Sequence, residues 1–268
     1  MGKLMAFGAL GLGLVAAAAA SASAPLPDQA QPEARGRAIA ERADRRDDGF
    51  GSSLTRLDMV LENAEGRTRT RRLTWKTLEV AEGDRSLVVF HEPRDIAGTA
   101  LLSHSRPGGD DDQWLFLPAL KRVKRIAAAN RTSAFVGSEF SYEDLMPERL
   151  DDFDYRWLRD EACGEWSCHV IERRPRDADS GYSKQALWLD REALRLLRVD
   201  YYDGRDRLLK TLSASDFRIY QDRYWRAHTL IMNNLLTGKR TRLAFEPFEF
   251  GAGLDARDFE PAALRRLR

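Results

Sequence analysis

The sequence predicts a mainly β (α+β) fold, in which a single long antiparallel sheet curls into an unclosed half-barrel. About a dozen segments alternate apolar and polar residues with the period of a strand, and turn signals such as Asp203-Gly204 and Thr237-Gly238 separate them. Open sheets of more than about ten strands curl or close. Only three short helical segments are available, too few to cover a flat sheet on both faces. Curling therefore leaves a concave face that side chains or a ligand must fill.

The N-terminus has the pattern of a cleaved signal peptide, which we predict at residues 1–22. Lys3 gives a positive start, residues 4–20 are apolar, and Ala20-Ser21-Ala22 suits a signal peptidase. Cleavage after Ala24 and a retained membrane anchor are the alternatives. Because no cysteine precedes Cys163, lipid attachment at a processed N-terminus is not expected. We expect a soluble protein beyond the inner membrane.

Length and composition fit one large β domain or two ordinary ones, of which we predict the first, and they argue against a general affinity for polyanions. The chain of 268 residues is 43% hydrophobic and 32% charged, which suffices for a core. Its formal charge is +1, and removing Lys3 with the signal peptide leaves 0, which argues against bulk binding to nucleic acid or anionic membrane. Residues 23–31 are rich in proline and alanine and form a flexible lead, and residues 32–268 form the domain.

Three helices are expected, at the N-terminus, in the centre and at the C-terminus, and they should cover the concave face. Residues 32–46 begin with proline, carry small apolar residues at helical spacing and turn arginines such as Arg35 outward. Residues 141–149 open with a capping box and are expected to form a short helix or a loop over the sheet, and residues 261–267 form the last helix. We predict strands from residue 53 onward, at residues 57–61, 68–78, 86–90, 99–104, 114–117, 122–126, 153–159, 167–173, 184–190, 194–202, 208–213, 224–234 and 241–250.

The two cysteines, Cys163 and Cys168, are predicted to form a small disulfide across a hairpin turn, as in other exported proteins. A ring of this size contributes about 2 kcal/mol by loop entropy, enough to stabilise one hairpin. A redox-active pair is the alternative, but such pairs usually have two intervening residues at a helix start.

A cationic hairpin follows an apolar strand in the middle of the chain. Residues 114–117 are apolar and end at Pro118, and four cations come next, at Lys121, Arg122, Lys124 and Arg125. A hairpin with one solvated basic face explains the pattern structurally. The functional interpretation is a surface for a partner or for the anionic head of an apolar molecule.

The same region resembles a known family. The run W-L-F-L-P-A-L-K-R-V-K-R-I at residues 114–126, followed by G-S-E-F-S-Y-E-D-L at residues 137–145, is similar to LolA-like outer-membrane lipoprotein-sorting proteins. The resemblance implies an open half-barrel with helices over its mouth and an apolar cavity for acyl chains. It also implies a periplasmic carrier of lipoproteins or lipids, often encoded beside inner-membrane exporters of the resistance-nodulation-division (RND) type.

We therefore predict a monomeric, non-enzymatic carrier that binds an acyl chain and passes it toward an outer-membrane acceptor. Ordinary core packing is the alternative for each aromatic residue. An accessory or sensor module without cargo transfer is the alternative function. A third is a hydrolase whose catalytic group is formed by residues that are distant in the sequence. The predicted wall and lid residues are Leu57, Met59, Leu61, Trp75, Trp114, Phe116, Leu117, Phe140, Tyr142, Leu145 and Met146.

Sequence motifs for catalysis, cofactors and metals are missing. No nucleophile elbow, phosphate-binding loop or dinucleotide fingerprint occurs. The four histidines lack metal-ligand spacing, although a zinc site assembled in space stays an alternative. Residues 110–112 are three consecutive aspartates, which we interpret as a solvated turn rather than a calcium site. We therefore predict no catalytic residue, no metal and no cofactor.

Overall fold

The computed structural model describes residues 25–106, 108–109 and 111–267. The predicted signal peptide lies outside the described residues. Among the helices of the described part, none is long and apolar enough to span a membrane. The described residues form one α-helix, α1 (Pro32–Asp47), several short 3-10 turns and fourteen strands: β1 (Ser52–Glu62), β2 (Thr68–Leu78), β3 (Arg85–Glu92), β4 (Ala100–His104), β5 (Asp112–Leu117), β6 (Arg122–Arg125), β7 (Phe153–Cys163), β8 (Trp166–Pro175), β9 (Lys184–Asp190), β10 (Leu196–Tyr202), β11 (Leu208–Tyr220), β12 (Tyr224–Asn234), β13 (Arg240–Phe245) and β14 (Glu249–Phe250).

All of these strands form one antiparallel sheet that does not close. The order is β6-β5-β4-β3-β2-β1-β13-β12-β11-β10-β9-β8-β7, and β14 pairs with β1. Strands β6 and β7 are therefore the two end strands. Helix α1 contacts β7 and β8 and also β12, although three strands lie between β8 and β12. The sheet must curl around the helix to allow this, and the predicted unclosed half-barrel is confirmed.

The two faces of the sheet carry separate apolar clusters, because successive side chains of a strand point to opposite faces. In β3, Val88 and Phe90 belong to an inner cluster, whereas Leu87 and Val89 belong to an outer one. The inner cluster also contains Ile39 of α1. The concave face is thus the face that α1 covers.

Helix α1 lies very close to β7 because it has no side chain at Gly36. A Cβ atom at Gly36 would lie 2.5 Å from the backbone nitrogen of Trp157. The guanidinium carbon of Arg35 lies 5.0 Å from the centre of the Trp157 ring, and this side chain donates to the Pro27 oxygen at 2.9 Å. The prediction that Arg35 turns outward is wrong, since its apolar stem and planar head pack on the tryptophan.

The chain crosses the hollow once, between the two end strands. This crossing, which we call the central segment (residues 126–152), runs from β6 to β7 on the inner side and contains four 3-10 turns. Its Phe135, Phe140 and Leu145 are at most 4% exposed. The short helix or loop predicted at residues 141–149 is therefore part of a series of turns that fills one part of the hollow.

The C-terminal piece differs from the prediction in form and in place. Instead of a helix it forms two 3-10 turns, Ala256–Phe259 and Ala263–Arg266. Phe259 and Leu264 are fully buried against the outer cluster, which includes Leu87 and Val89. The C-terminus therefore covers the outer face of the sheet and not the concave one.

Several strand boundaries also differ from the prediction, and two of these differences have a local cause. β11 continues to Tyr220 because Asp216 takes a positive φ of 54° and lets the strand resume beyond an irregularity. The predicted last strand is divided into β13 and β14, because Pro247 lacks the N–H that a ladder needs. The predicted disulfide joins Cys163 to Cys168 between β7 and β8 and is confirmed.

Leu26 packs against the inner cluster, so the described part of the predicted lead contacts the domain. The flexibility of residues 23–31 stays a prediction.

Candidate functional site

A cavity of about 620 Å³ lies between the C-terminal half of α1 and the inner face of the sheet. Its walls come from strands on both sides of the curl, from β1 and β2 to β8 and β9, so the curvature creates it. The apolar wall residues are Ala40, Ala43, Phe50, Trp75, Pro147, Leu150, Tyr155, Ile171, Leu187, Leu189, Ala193, Leu194, Leu196, Leu212, Ala214, Phe217, Trp225, Ala227, Leu230, Phe245 and Phe248.

Strand alternation brings these side chains together. Ile171 in β8 pairs with Leu187 in β9, and both point inward because cross-strand partners share a face. On the other side of the hollow, the ring of Trp75 lies 6.3 Å from that of Phe245, which stacks on Phe248 at 5.5 Å. The wall is thus a continuous apolar surface contributed by distant parts of the chain.

Five carboxylates gather on one side of the cavity mouth. Asp44, Asp47 and Asp48 come from the end of α1, and Glu79 and Asp84 come from the connection between β2 and β3. Burial, followed by repulsion from Glu79 and Asp48, raises the pKa of Asp84 to about 6. Burial, followed by repulsion from Asp48 and Asp47, raises the pKa of Asp44. This side of the mouth therefore loses negative charge on mild acidification.

Arginine side chains attach the C-terminal end of α1 to the sheet. Arg223, between β11 and β12, donates to the backbone oxygens of Arg45 at 2.9 Å and Asp48 at 2.7 Å. Arg46 donates to the Glu192 oxygen at 2.8 Å. These are polar contacts at the protein surface, whereas Gly36 and Ile39 fix the other half of the helix by close apolar packing.

A buried arginine connects the central segment to β8. The side chain of Arg173 is 5% exposed and donates to Glu148 at 2.6 and 2.5 Å and to Gln185 at 2.6 Å. Its guanidinium carbon also lies 4.3 Å from the centre of the Phe153 ring. Because Glu148 is 58% exposed, this ion pair borders solvent at the cavity edge.

The central segment is anchored deep in the hollow by a second ion pair. Lys210 lies 2.5 Å from the carboxylate of Asp144 and also donates to the Glu139 oxygen at 3.0 Å. The hydroxyl group of Tyr182 donates to Asp144 at 2.7 Å. Residues 140–146, predicted as a lid, contribute no side chain to the cavity wall. They fill the other end of the hollow.

The predicted wall and lid residues fall into four groups in the structure. Trp75 alone among them lines the cavity. Trp114 and Phe116 belong to the outer cluster, so the prediction that they line the same cavity as Trp75 is wrong. Leu117 and Met146 are half-buried and outside the wall. The members that belong to the inner core or pack against it, beside the cavity, are Leu57, Met59, Leu61, Phe140, Tyr142 and Leu145.

The predicted cationic surface lies on an exposed hairpin away from the cavity. Lys121, Arg122 and Lys124 are exposed, and among the described residues none has a carboxylate within the distance of an ion pair. Arg125 differs, because it contacts Asp112. Leu120 at the hairpin tip is 62% exposed.

Groups that could bind a metal are used in other ways. Within the part of the chain that the structure describes, no group of three or more His, Cys, Asp or Glu side chains is arranged to hold a metal ion. Nδ1 of His169 lies 2.7 Å from Asp160, and Nε2 of His228 lies 2.8 Å from the Tyr220 hydroxyl. Asp112 is 3% exposed and contacts two arginines, so its interpretation as part of a solvated turn is wrong.

Most wall residues contributed by β8 to β12 were missed at the sequence level. Ile171, Leu187 and Leu189 stand in period-2 patterns, which was the available signal. That pattern does not reveal which strands face each other across a hollow. Arg173 and Arg195, both on the cavity wall, had no sequence signal at all.

The chain is similar to several solved structures. A candidate outer membrane lipoprotein-sorting protein domain from Vibrio parahaemolyticus is 45% identical, with a TM-score of 0.84 over 87% of this chain and 99% of that one. A DUF1329 family protein from Desulfovibrio piger is 29% identical, with a TM-score of 0.83 over 87% and 99%. A LolA superfamily protein from Nitrosomonas europaea, 22% identical with a TM-score of 0.67 over 84% and 97%, shares the fold.

A family described as "uncharacterized protein" matches residues 82–266, which is more than half of the chain. No curated protein matches the chain. The resemblance read from residues 114–145 is confirmed by the solved relatives, which share the whole half-barrel. The chain belongs to the family of outer membrane lipoprotein-sorting protein domains, and it shares its fold with the LolA superfamily protein.

Proposed function

We propose that this protein is a monomeric periplasmic carrier without catalytic activity. It binds an acyl chain of a lipoprotein, or a lipid, in the cavity and passes it toward the outer membrane. Its fold is that of lipoprotein-sorting proteins, and the cavity beneath α1 is the observation that carries the proposal.

The cavity suits an apolar chain in size and in lining. Its volume of about 620 Å³ falls within the range of roughly 300–1,000 Å³ that is usual for ligand sites. Each buried methylene contributes about 0.8 kcal/mol, so about ten methylenes supply the affinity of a useful carrier before the costs of association. The charged rim keeps the mouth hydrated and separates it from the dry wall.

Loading takes place at the C-terminal half of α1. This half is attached by surface hydrogen bonds from Arg223 and Arg46, whereas the central segment is attached by the buried pair of Lys210 and Asp144. Exposed polar contacts exchange with water more easily than buried ones. The end of α1 is therefore the cover that moves, in place of the lid predicted at residues 140–146.

The cationic hairpin serves as a docking surface for protein partners. Lys121, Arg122 and Lys124 do not line the cavity, so they contact a partner and not the head group of a bound ligand. The partners are an inner-membrane exporter of the RND type and an outer-membrane acceptor. Release to the acceptor requires a state with lower affinity for the ligand, since a carrier that binds equally in every state transfers nothing.

Native mass spectrometry after gentle purification from the periplasm, with lipid extraction, tests the carrier function. We expect about one acyl-bearing molecule for each chain. A ligand-free mass that does not change when lipid is offered contradicts the carrier.

The same hairpin also favours the alternative, an accessory or sensor module of an export system. Charge reversal of Lys121, Arg122 and Lys124 to Glu separates the two functions. For a carrier, the variant binds lipid normally and loses transfer between membranes. For a sensor, the unmodified protein forms a stable complex with a membrane protein and contains no lipid.

A further inference from the structure

Arg195 occupies an unusual position on the cavity wall, at the turn between β9 and β10. Its guanidinium carbon lies 4.7 Å from the centre of the Trp225 ring, 4.9 Å from that of Trp166 and 5.5 Å from that of Phe217. Its Nε atom donates to Asp190 at 2.8 Å, and the two side chains are 11% and 1% exposed. Three rings and one carboxylate therefore fix the orientation of this guanidinium.

The terminal nitrogens of Arg195 are available to donate hydrogen bonds to a ligand. Six arginines line the cavity, and the other five, Arg46, Arg149, Arg173, Arg223 and Arg226, each donate to a protein acceptor from at least one terminal nitrogen. Arg195 donates from Nε alone, and its terminal nitrogens have no acceptor among the described residues. Two of its neighbouring rings, Phe217 and Trp225, line the apolar cavity themselves.

We propose that Arg195 binds the anionic head group of an amphiphile whose chain lies in the cavity. The head group is a carboxylate or a phosphate, because a fixed planar guanidinium offers two parallel donors to either. The rings of Phe217 and Trp225 lead directly from this head group to the apolar wall. The five carboxylates on the rim disfavour an anion on their side of the mouth. This inference rests on the proposed function and narrows the ligand class to anionic amphiphiles.

Two probes with the same acyl chain, one with a carboxylate and one with an uncharged ester, distinguish binding at the head-group site from binding in the acyl cavity. The full protein is purified from the periplasm, delipidated and titrated with cis-parinaric acid or its methyl ester at about pH 8, where the acid is ionised. A charge-assisted hydrogen bond corresponds to roughly tenfold in affinity or more. We expect the acid to bind roughly tenfold more tightly than the ester. Arg195→Gln should abolish that preference by weakening only the acid.

Two variants control for folding and for charge. Asp190 keeps three backbone donors in Arg195→Gln, from Glu192, Ala193 and residue 195 itself, so the turn should persist. Arg195→Lys keeps the charge and loses the planar fork, so its preference for the acid should fall severalfold. If Arg195→Gln does not fold, the ratio of acid to ester affinity measured for Arg195→Lys tests the head-group site instead. Arg257→Gln, on the exposed C-terminal turn, should behave as the unmodified protein.

The possible failures are distinguishable. Equal binding of acid and ester, unchanged by either Arg195 substitution, overturns the head-group site and leaves the acyl cavity intact. Failure of both probes to bind the unmodified protein contradicts the proposed carrier function, and the head-group site falls with it.

Discussion

The ammonium group of Lys210 in β11 lies 2.5 Å from the carboxylate of Asp144 in the central segment. These side chains are 5% and 3% exposed, and Tyr182 donates to the same carboxylate. Removing one partner of a buried ion pair leaves an uncompensated charge in the interior. The pair therefore makes the central segment a fixed part of the core.

Lys210→Met should destabilise the protein by about 3–5 kcal/mol, because Asp144 loses its counter-charge. Equilibrium urea unfolding measures this change. Lys239→Met, at an exposed position between β12 and β13, is the matched control and should change the free energy of unfolding by less than about 0.5 kcal/mol. Equal effects of the two substitutions would mean that the central segment is held in another way.

Gly36→Ala should destabilise the protein, although alanine favours a helix interior by roughly 0.5–1 kcal/mol. The added Cβ atom would lie 2.5 Å from the backbone of Trp157 and push α1 away from β7. Thermal unfolding measures the change. Ala34→Gly, at an exposed position of α1, is the control that measures the effect of glycine against alanine on helix stability without a packing contact. A stabilised Gly36→Ala variant would refute the close approach of α1 to β7.

Asp84→Asn should raise the melting temperature at about pH 7.5 by about 2 °C. The pKa of Asp84 is raised to about 6, above its ordinary value, so between about pH 4 and pH 6 the folded state holds a proton that the unfolded state has lost, and at pH 7.5 the folded state carries an unfavourable buried charge. Stability contributed by this group is therefore present at low pH and is lost as the pH rises toward 6. Below about pH 4 both states are protonated, and the variant should match the unmodified protein. A difference that is independent of pH would contradict the carboxylate cluster.

Trp75→Glu should weaken binding of a neutral fatty acyl ester by roughly tenfold or more, since it places a charge in the apolar wall. Trp114→Glu should change that affinity less than about twofold, because Trp114 packs on the outer face. Fluorescence titration with parinaric acid methyl ester measures both, with circular dichroism as a check of folding. Equal losses would mean that the cavity has been assigned to the wrong face.

The contrast between Trp75 and Trp114 also shows how far the sequence could be interpreted. Leu73 and Trp75 alternate with Arg72 and Lys76, so the pattern predicts that they share one buried face, although it does not say which face of the sheet is concave. Residues 114–117 are all apolar, and a shift of one residue reverses the face of every side chain. Sequence alone could not assign Trp114.

The half-barrel was predictable because strand number and helix content limit how a sheet can be covered. The cavity was not, since Ile171, Trp75 and Leu230 come together only through long-range pairing of strands. The three aromatic rings around Arg195 could likewise not be predicted from the sequence. Trp166, Phe217 and Trp225 each lie more than twenty residues from it in the sequence.

Photo-crosslinking with a fatty acid that carries a diazirine along its chain is the most direct test of the acyl cavity. After irradiation and proteolysis, we expect labelled peptides from the inner wall, around Trp75, Leu187 and Leu230. An excess of unmodified fatty acid should suppress the labelling. Labels confined to the outer face around Trp114 and Phe116, or no labelling that competitor suppresses, would contradict the cavity as the site of acyl binding.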